Sequence, residues 1–187
     1  MGTLENPQTQ LVDGVFKVKS GDGFEPVSVD KLWIGAERFG IHTNTPTLSA
    51  TAAGAGGMTA WLLQGSTADE AVSVGLVLPT GWNAFSAEVY WSNGSTGAGT
   101  VRFDVICEDV AVGEAPSSAT TNSVTTAAAS TTAFLLAKTT AIAATSPMPV
   151  NAGSIVAIRV NRDQDHAGDT VANDICFHGL LLSKIEV

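Results

Sequence analysis

The sequence predicts an all-β fold: an antiparallel β-sandwich of jelly-roll type preceded by a small N-terminal β-hairpin module. Three observations predict it. Apolar residues recur at a period of two over many short runs, and Gly, Pro, Asn and Asp separate those runs. Only 14% of the 187 residues are charged, fewer than the solvated faces of surface helices need.

The elements follow in chain order. Residues 1–10 are polar and aperiodic and read as a flexible arm. Val15-Phe16-Lys17-Val18-Lys19 alternates, Ser20-Gly21-Asp22-Gly23 is a turn cluster, and Phe24-Glu25-Pro26-Val27-Ser28-Val29 alternates again, which is the pattern of a hairpin. Lys31-Leu32-Trp33-Ile34-Gly35 and Arg38-Phe39-Gly40-Ile41-His42 read as a second pair of short strands. Residues 43–57 are uncharged and glycine-rich, the composition of a linker, so the expected domains are 1–57, an arm, attachment module and linker, and 58–187, the sandwich. Within the sandwich, Ala60-Trp61-Leu62-Leu63 opens the series, and the run Ala71 to Leu78 is stopped by Pro79. Phe85, Ala87, Val89 and Trp91 share one strand face opposite Ser86, Glu88 and Tyr90. After the loop of residues 93–99, Val101, Phe103, Val105 and Cys107 share a face opposite Arg102 and Asp104. Lys138 is the only charged side chain between Ala115 and Gly153, yet Val124, Phe134-Leu135-Leu136 and Ile142 recur at strand-like intervals. Ordered strands are expected there. The runs from Ser154 to Arg162 and from Ile175 to Val187 flank an acidic loop and complete the series.

Composition restricts function. A formal charge of -9 repels phosphate backbones and anionic membranes, so neither nucleic acid nor membrane is an expected partner. The apolar runs are too short to span a bilayer, and the first residues lack the basic flank and apolar stretch of a secretory signal. Cys107 and Cys176 both lie in apolar runs and are expected to be free core thiols.

Few residues form a pattern that carries chemistry. His42, His166 and His178 lack a second His or a Cys at metal-ligand spacing, apart from Cys176 and His178, which a regular strand would place on one face. The densest carboxylates lie in Asp163-Gln164-Asp165-His166-Ala167-Gly168-Asp169-Thr170, where Asp163, Asp165 and Asp169 are calcium candidates. The EF-hand spacing is matched only in part, and a solvated loop with Asx turns is the plainer reading. Asp69-Glu70 is a possible acid–base pair, but neighbours on a strand point apart. No nucleophile elbow or phosphate loop is present, so no enzyme activity, cofactor or resident metal is expected. Trp61 and Trp91 fall on apolar faces and are expected in the core; Trp82 occupies a turn and is suited to clamp a strand crossover.

Ala60-Trp61-Leu62-Leu63, Asp69-Glu70-Ala71-Val72, Val77-Leu78-Pro79 with Trp82, and Val89-Tyr90-Trp91 are followed by Val101-Arg102-Phe103, Arg159-Val160-Asn161-Arg162-Asp163, Asp169-Thr170, Asn173-Asp174 and Gly179-Leu180-Leu181-Leu182. In this order of features the chain resembles jelly-roll virion surface proteins of tailed bacteriophages: capsid decoration (cement) proteins and head or tail fibres. The resemblance implies a structural virion protein, made in the host cytoplasm and placed on the capsid surface. It would be a homotrimer bound to the major capsid protein or other virion proteins, with no catalytic residue. The front module would grip the shell, with Phe16, Phe24, Trp33 and Phe39 as the expected partner-binding residues. The alternatives are a short head or tail fibre that binds host glycans, and a carbohydrate-binding module.

Overall fold

The computed structural model describes residues 9–12, 15–20, 23–26, 29–44, 46–49, 58–65, 69–79, 81–110, 121–128, 132–142, 148–149 and 155–186. The chain divides into two compact units, Met1–Asp30 and Lys31–Val187.

In the first unit, β1 (Thr9–Val12), β2 (Val15–Ser20) and β3 (Gly23–Pro26) form an antiparallel meander in that order. Ser20 stands opposite Gly23, so the hairpin expected from this alternation is formed. Thr9 and Gln10, expected in a flexible arm, instead pair with Val18 and Lys17, because the outer edge of β2 offers unpaired backbone groups. The candidates Phe16 and Phe24 sit on β2 and β3, and their side chains lie outside the described residues.

The second unit is a sandwich. Its strands are β4 (Lys31–Gly35), β5 (Gly40–Thr43), β6 (Thr47–Ser49), β7 (Ala60–Leu63), β8 (Glu70–Val77), β9 (Ala84–Asn93), β10 (Thr100–Val110), β11 (Thr121–Ala128), β12 (Leu136–Lys138), β13 (Met148–Pro149), β14 (Ile155–Arg162) and β15 (Ile175–Lys184). A 3-10 turn, Ala36–Arg38, joins β4 to β5. Sheet I has five strands in the order β11-β10-β14-β8-β5. Sheet II has seven, in the order β12-β9-β15-β7-β6, with β13 beside β9 and β4 beside β15. Every pairing is antiparallel.

The alternation seen in the sequence sets which residues face inward. Val101, Phe103, Val105 and Cys107 from β10, and Val156, Ile158 and Val160 from β14, are buried against Phe85, Ala87, Val89 and Trp91 from β9. A fully buried side chain of this size contributes about 1.5–3 kcal/mol, so these two facing layers dominate the stability. Trp61 and Trp91 are in the core as expected, and Trp82 is buried in a turn closed by its own N–H on the Pro79 carbonyl at 3.2 Å. Both cysteines are buried thiols outside any disulfide; burial pushes the Cys107 thiol up to about 12, leaving it inert.

The boundary between the units falls at Asp30 and not at residue 57. The physical reason is that strands as short as β4 and β5 bury little alone. Ile34 pairs with Leu180 on β15 and Ile41 with Val72 on β8, so residues 31–43 complete both sheets. Phe39 is thereby only 5% exposed and packs edge-to-face on Phe177 at 5.0 Å, which corrects its assignment as a partner-binding residue. Thr47–Ser49, within the expected linker, is an edge strand on β7.

Candidate functional site

Strand alternation also determines what the outer face of sheet I presents. Outward residues align in rungs: Asp104, Asn161 and Ala71; Ile106, Arg159 and Ser73; Glu108, Ala157 and Gly75. His42 arrives from β5, whose pairing with β8 shifts register between Ile41 and Thr43. The shift sets the ring beside the second rung, where Arg159 Nη1 donates to His42 Nε2 at 2.9 Å. His42, Ser73, Ile106, Glu108, Ala157 and Arg159 line an open groove of about 430 Å³. Its floor is aliphatic. Its walls offer a guanidinium, an imidazole, a hydroxyl and a carboxylate whose Oε1 has no hydrogen-bond partner among the described residues.

One end of this face is fixed by a buried ion pair. Arg162 continues the inward series of Val156, Ile158 and Val160, so its guanidinium enters the core and is fully buried. Nε and Nη2 donate to the two Asp169 oxygens at 3.0 Å each, Nη1 donates to the Asn173 and Leu63 carbonyls at 2.8 and 3.2 Å, and Nη2 also donates to the Val171 carbonyl. All the donors of the fork are thus used, the condition for tolerating a buried cation. Asp169 further accepts from the Arg102 and Val171 backbone N–H groups at 3.2 and 3.3 Å. The acidic loop is therefore folded around this pair and is not simply a solvated loop.

The calcium candidates separate accordingly. Asp169 has both oxygens committed to Arg162, which corrects its assignment as a metal candidate. Asp163 and Asp165 do come together, and they are joined by Asp69, each offering an oxygen within 4.8 Å of the others. Asp69 lies nearly a hundred positions earlier and arrives through the β8–β14 pairing. Asp163 is neutralised by Arg102 Nε at 2.6 Å, although burial first, and then Asp104, push its carboxyl up. Asp69 and Glu70 point apart, as expected: Glu70 is buried and accepts from the Gln64 N–H at 2.7 Å, and desolvation raises its carboxyl.

On sheet II, His178 is the extra residue of an irregularity between Phe177 and Gly179, so the regular alternation that would pair it with Cys176 is interrupted. His178 Nε2 meets Ser92 Oγ at 2.9 Å, and both side chains are buried. Among the described residues no carboxylate lies behind Nδ1, and burial of both side chains makes this a contact within the sheet.

The sequence reading missed the groove. Its only signal was the polar, outward half of each alternation, Glu108 in β10 and Arg159 in β14. Of the four expected partner-binding residues, Trp33 is the one whose described side chain is exposed.

No protein-family model matches the sequence, and none of the curated proteins matches it at a significant level. Solved structures do match in fold. A family 35 carbohydrate-binding module from Clostridium thermocellum aligns with a TM-score of 0.54 and 11% identity over 84% of this chain and 100% of its own. The xylanase 10B of Clostridium thermocellum, solved as CBM22-1 and GH10 modules complexed with xylohexaose, gives 0.51 and 13% over 84% of this chain and 28% of its own. The isomalto-dextranase of Arthrobacter globiformis T6 complexed with panose gives 0.50 and 16% over 85% and 24%. This chain spans about a quarter of the length of those two enzyme chains. At such identities the likeness is one of fold: a jelly-roll β-sandwich, the architecture expected from the sequence.

Proposed function

We propose that the sandwich is a non-catalytic glycan-binding module that takes a saccharide chain along the outer face of sheet I. The observation that carries this reading is the groove itself. An aliphatic floor of Ile106 and Ala157 suits the C–H faces of sugar rings, and Arg159, His42, Ser73 and Glu108 supply donors and acceptors for hydroxyl groups. The fold shared with carbohydrate-binding modules supports the same reading. The test is affinity electrophoresis through gels containing soluble xylan, mixed-linkage β-glucan or dextran. Retardation by at least one polysaccharide, lost or weakened in Arg159→Ala, is expected. Unaltered mobility of the wild-type protein in all three gels defeats the proposal.

A second reading is attachment to a virion as a capsid decoration protein. It is favoured by one observation: Met1–Asp30 folds as a compact unit of its own ahead of the sandwich, as an attachment module would. In that reading the protein is a homotrimer on the capsid surface, bound to the major capsid protein. Cosedimentation with capsids stripped of surface proteins, with a rise in their melting temperature, tests it. A chain that stays in the supernatant rejects it.

A further inference from the structure

We infer that the outer face of sheet II carries a second saccharide site, a stacking platform of Trp33 and Tyr90 rimmed by Glu88 and Lys138, which takes a ring of a neutral polysaccharide. The class of ligand rests on the glycan reading of the groove; the site does not. The groove and the platform lie on opposite sides of the sandwich.

Trp33 is 47% exposed, whereas Trp61, Trp82 and Trp91 are 6%, 2% and 0% exposed. An indole held in water on β4, which pairs with β15 alone, needs a seat, and Gly179 on β15 provides it. A Cβ at Gly179 would lie 2.8 and 2.9 Å from two ring carbons of Trp33 and 2.3 Å from the Ile34 carbonyl oxygen. The glycine also takes a φ of +149°, which L side chains rarely adopt. Trp33 leans across this gap and meets Tyr90 edge-to-face, with centroids 5.2 Å apart and planes at 87°. The two rings brace one another.

The neighbours on this face fit a sugar ring. Trp33 stands opposite Leu181, and Leu181 opposite Glu88; in the next rung Gly179 stands opposite Tyr90, and Tyr90 opposite Lys138. Lys138 Nζ and Glu88 Oε1 form an ion pair at 2.5 Å, with side-chain exposures of 53% and 17%. An apolar, aromatic centre thus grades into a donor, an acceptor and a phenol hydroxyl within a few strand spacings. A pyranose stacks its C–H face on an aromatic ring and turns its hydroxyls outward to such a rim. Lys138 and Glu88 cancel, so the rim beside Tyr90 carries no net charge; Lys31, exposed in the adjoining rung of the same face, lies at its far edge. A second copy of this chain would cover the rings but would have to desolvate the ion pair without replacing its water.

The test uses the intact chain. N-bromosuccinimide should oxidise one tryptophan of the four readily, and saturating xylohexaose, mixed-linkage glucan oligosaccharide or isomaltohexaose should slow that oxidation. In an Arg159→Ala background, which disables the groove, residual binding measured by calorimetry should weaken about tenfold on Trp33→Ala and be largely retained on Trp33→Phe, which keeps a stacking face. Oxidation of Trp33 at the same rate with and without every sugar overturns the platform. So does loss of all binding on Arg159→Ala alone, which leaves the groove reading standing. No binding by the wild-type chain removes both. If Trp33→Ala converts a dimer to a monomer in sedimentation and leaves sugar binding unchanged, the platform's occupant is another copy and the inference is wrong.

Discussion

The two sheets bury their inner faces alike and expose outer faces of opposite character. Sheet I presents rungs of charged and polar groups, Arg102, Asp104, Asn161, Arg159 and Glu108, held by side-chain pairs such as Arg102–Asp163 and Arg159–His42. Sheet II presents Trp33, Tyr90 and Leu181, with Ser92, Cys176 and His178 buried beside them. In the proposed reading the first face recognises by hydrogen bonding and the second by stacking. The difference would let one sandwich carry two kinds of site, provided the core between them is fixed independently of both.

The largest effect should come from the point where sheet I is anchored. Asp169→Ala removes the carboxylate that pairs with a fully buried guanidinium and should cost about 3–5 kcal/mol, read as a fall in the urea midpoint at unchanged slope. Asp169→Asn, which keeps an acceptor, should cost clearly less. If the alanine variant loses under about 1 kcal/mol, the charge has found water, and the loop is not folded around Arg162. The counterpart on sheet II is Gly179→Ala. A methyl group forced against the Ile34 carbonyl and the Trp33 ring, at a positive φ, should cost about 2 kcal/mol. The same substitution should shift tryptophan emission as Trp33 is displaced. Emission that stays put would show that the indole is not seated there.

Much of sheet I was legible in the sequence, because β10 and β14 each alternate without interruption: Val101-Arg102-Phe103-Asp104-Val105 and Val156-Ala157-Ile158-Arg159-Val160 announce their inner faces. The same rule places Arg162 inward, and the burial of its charge depends on the spatial arrival of Asp169 and three carbonyls. β15 was illegible in this respect. Ile175-Cys176-Phe177-His178-Gly179-Leu180-Leu181-Leu182 reads as a continuous apolar run, and the irregularity at His178 leaves no period to follow. The groove was hidden for a different reason: His42, Ser73, Glu108 and Arg159 come from four strands, and only the pairing order of sheet I makes them neighbours. Sequence proximity misled at Phe39 too, where a short strand that looked like part of a separate module completes the sandwich core.

A pH titration sharpens the contrast between the faces. Burial pushes His178 below its ordinary value of 6.5, so the unfolded chain binds a proton more readily than the folded one. Its contribution is fully favourable above 6.5 and is lost as pH falls below 6.5 toward the folded value, with a slope of up to about 1.4 kcal/mol per pH unit. Glu70 and Asp104 act with the opposite sign. Desolvation raises both carboxyls, so their folded forms take up protons first and gain stability as pH falls toward the unfolded range. The diagnostic is therefore a difference curve. His178→Gln should flatten the loss of stability between about pH 6.5 and 5, and a difference curve without slope in that window would place the imidazole in contact with solvent.

The smallest change in stability should accompany a large change in binding. Arg159 meets His42 across the groove at 2.9 Å, on a face open to water, where such a contact contributes well under about 1 kcal/mol. Arg159→Ala is thus expected to move the urea midpoint by no more than about 0.5 kcal/mol in free energy. The variant should still be clearly less retarded on the polysaccharide that the wild type binds, because the guanidinium supplies most of the directed donors in the groove. Asp169→Ala should show the reverse, a large loss of stability with the groove residues themselves unchanged in identity. Comparing the two at a temperature where both remain folded separates recognition from anchoring on sheet I. If Arg159→Ala destabilises as much as Asp169→Ala, the outer rungs are part of what holds the sandwich together, and the independence of core and faces fails.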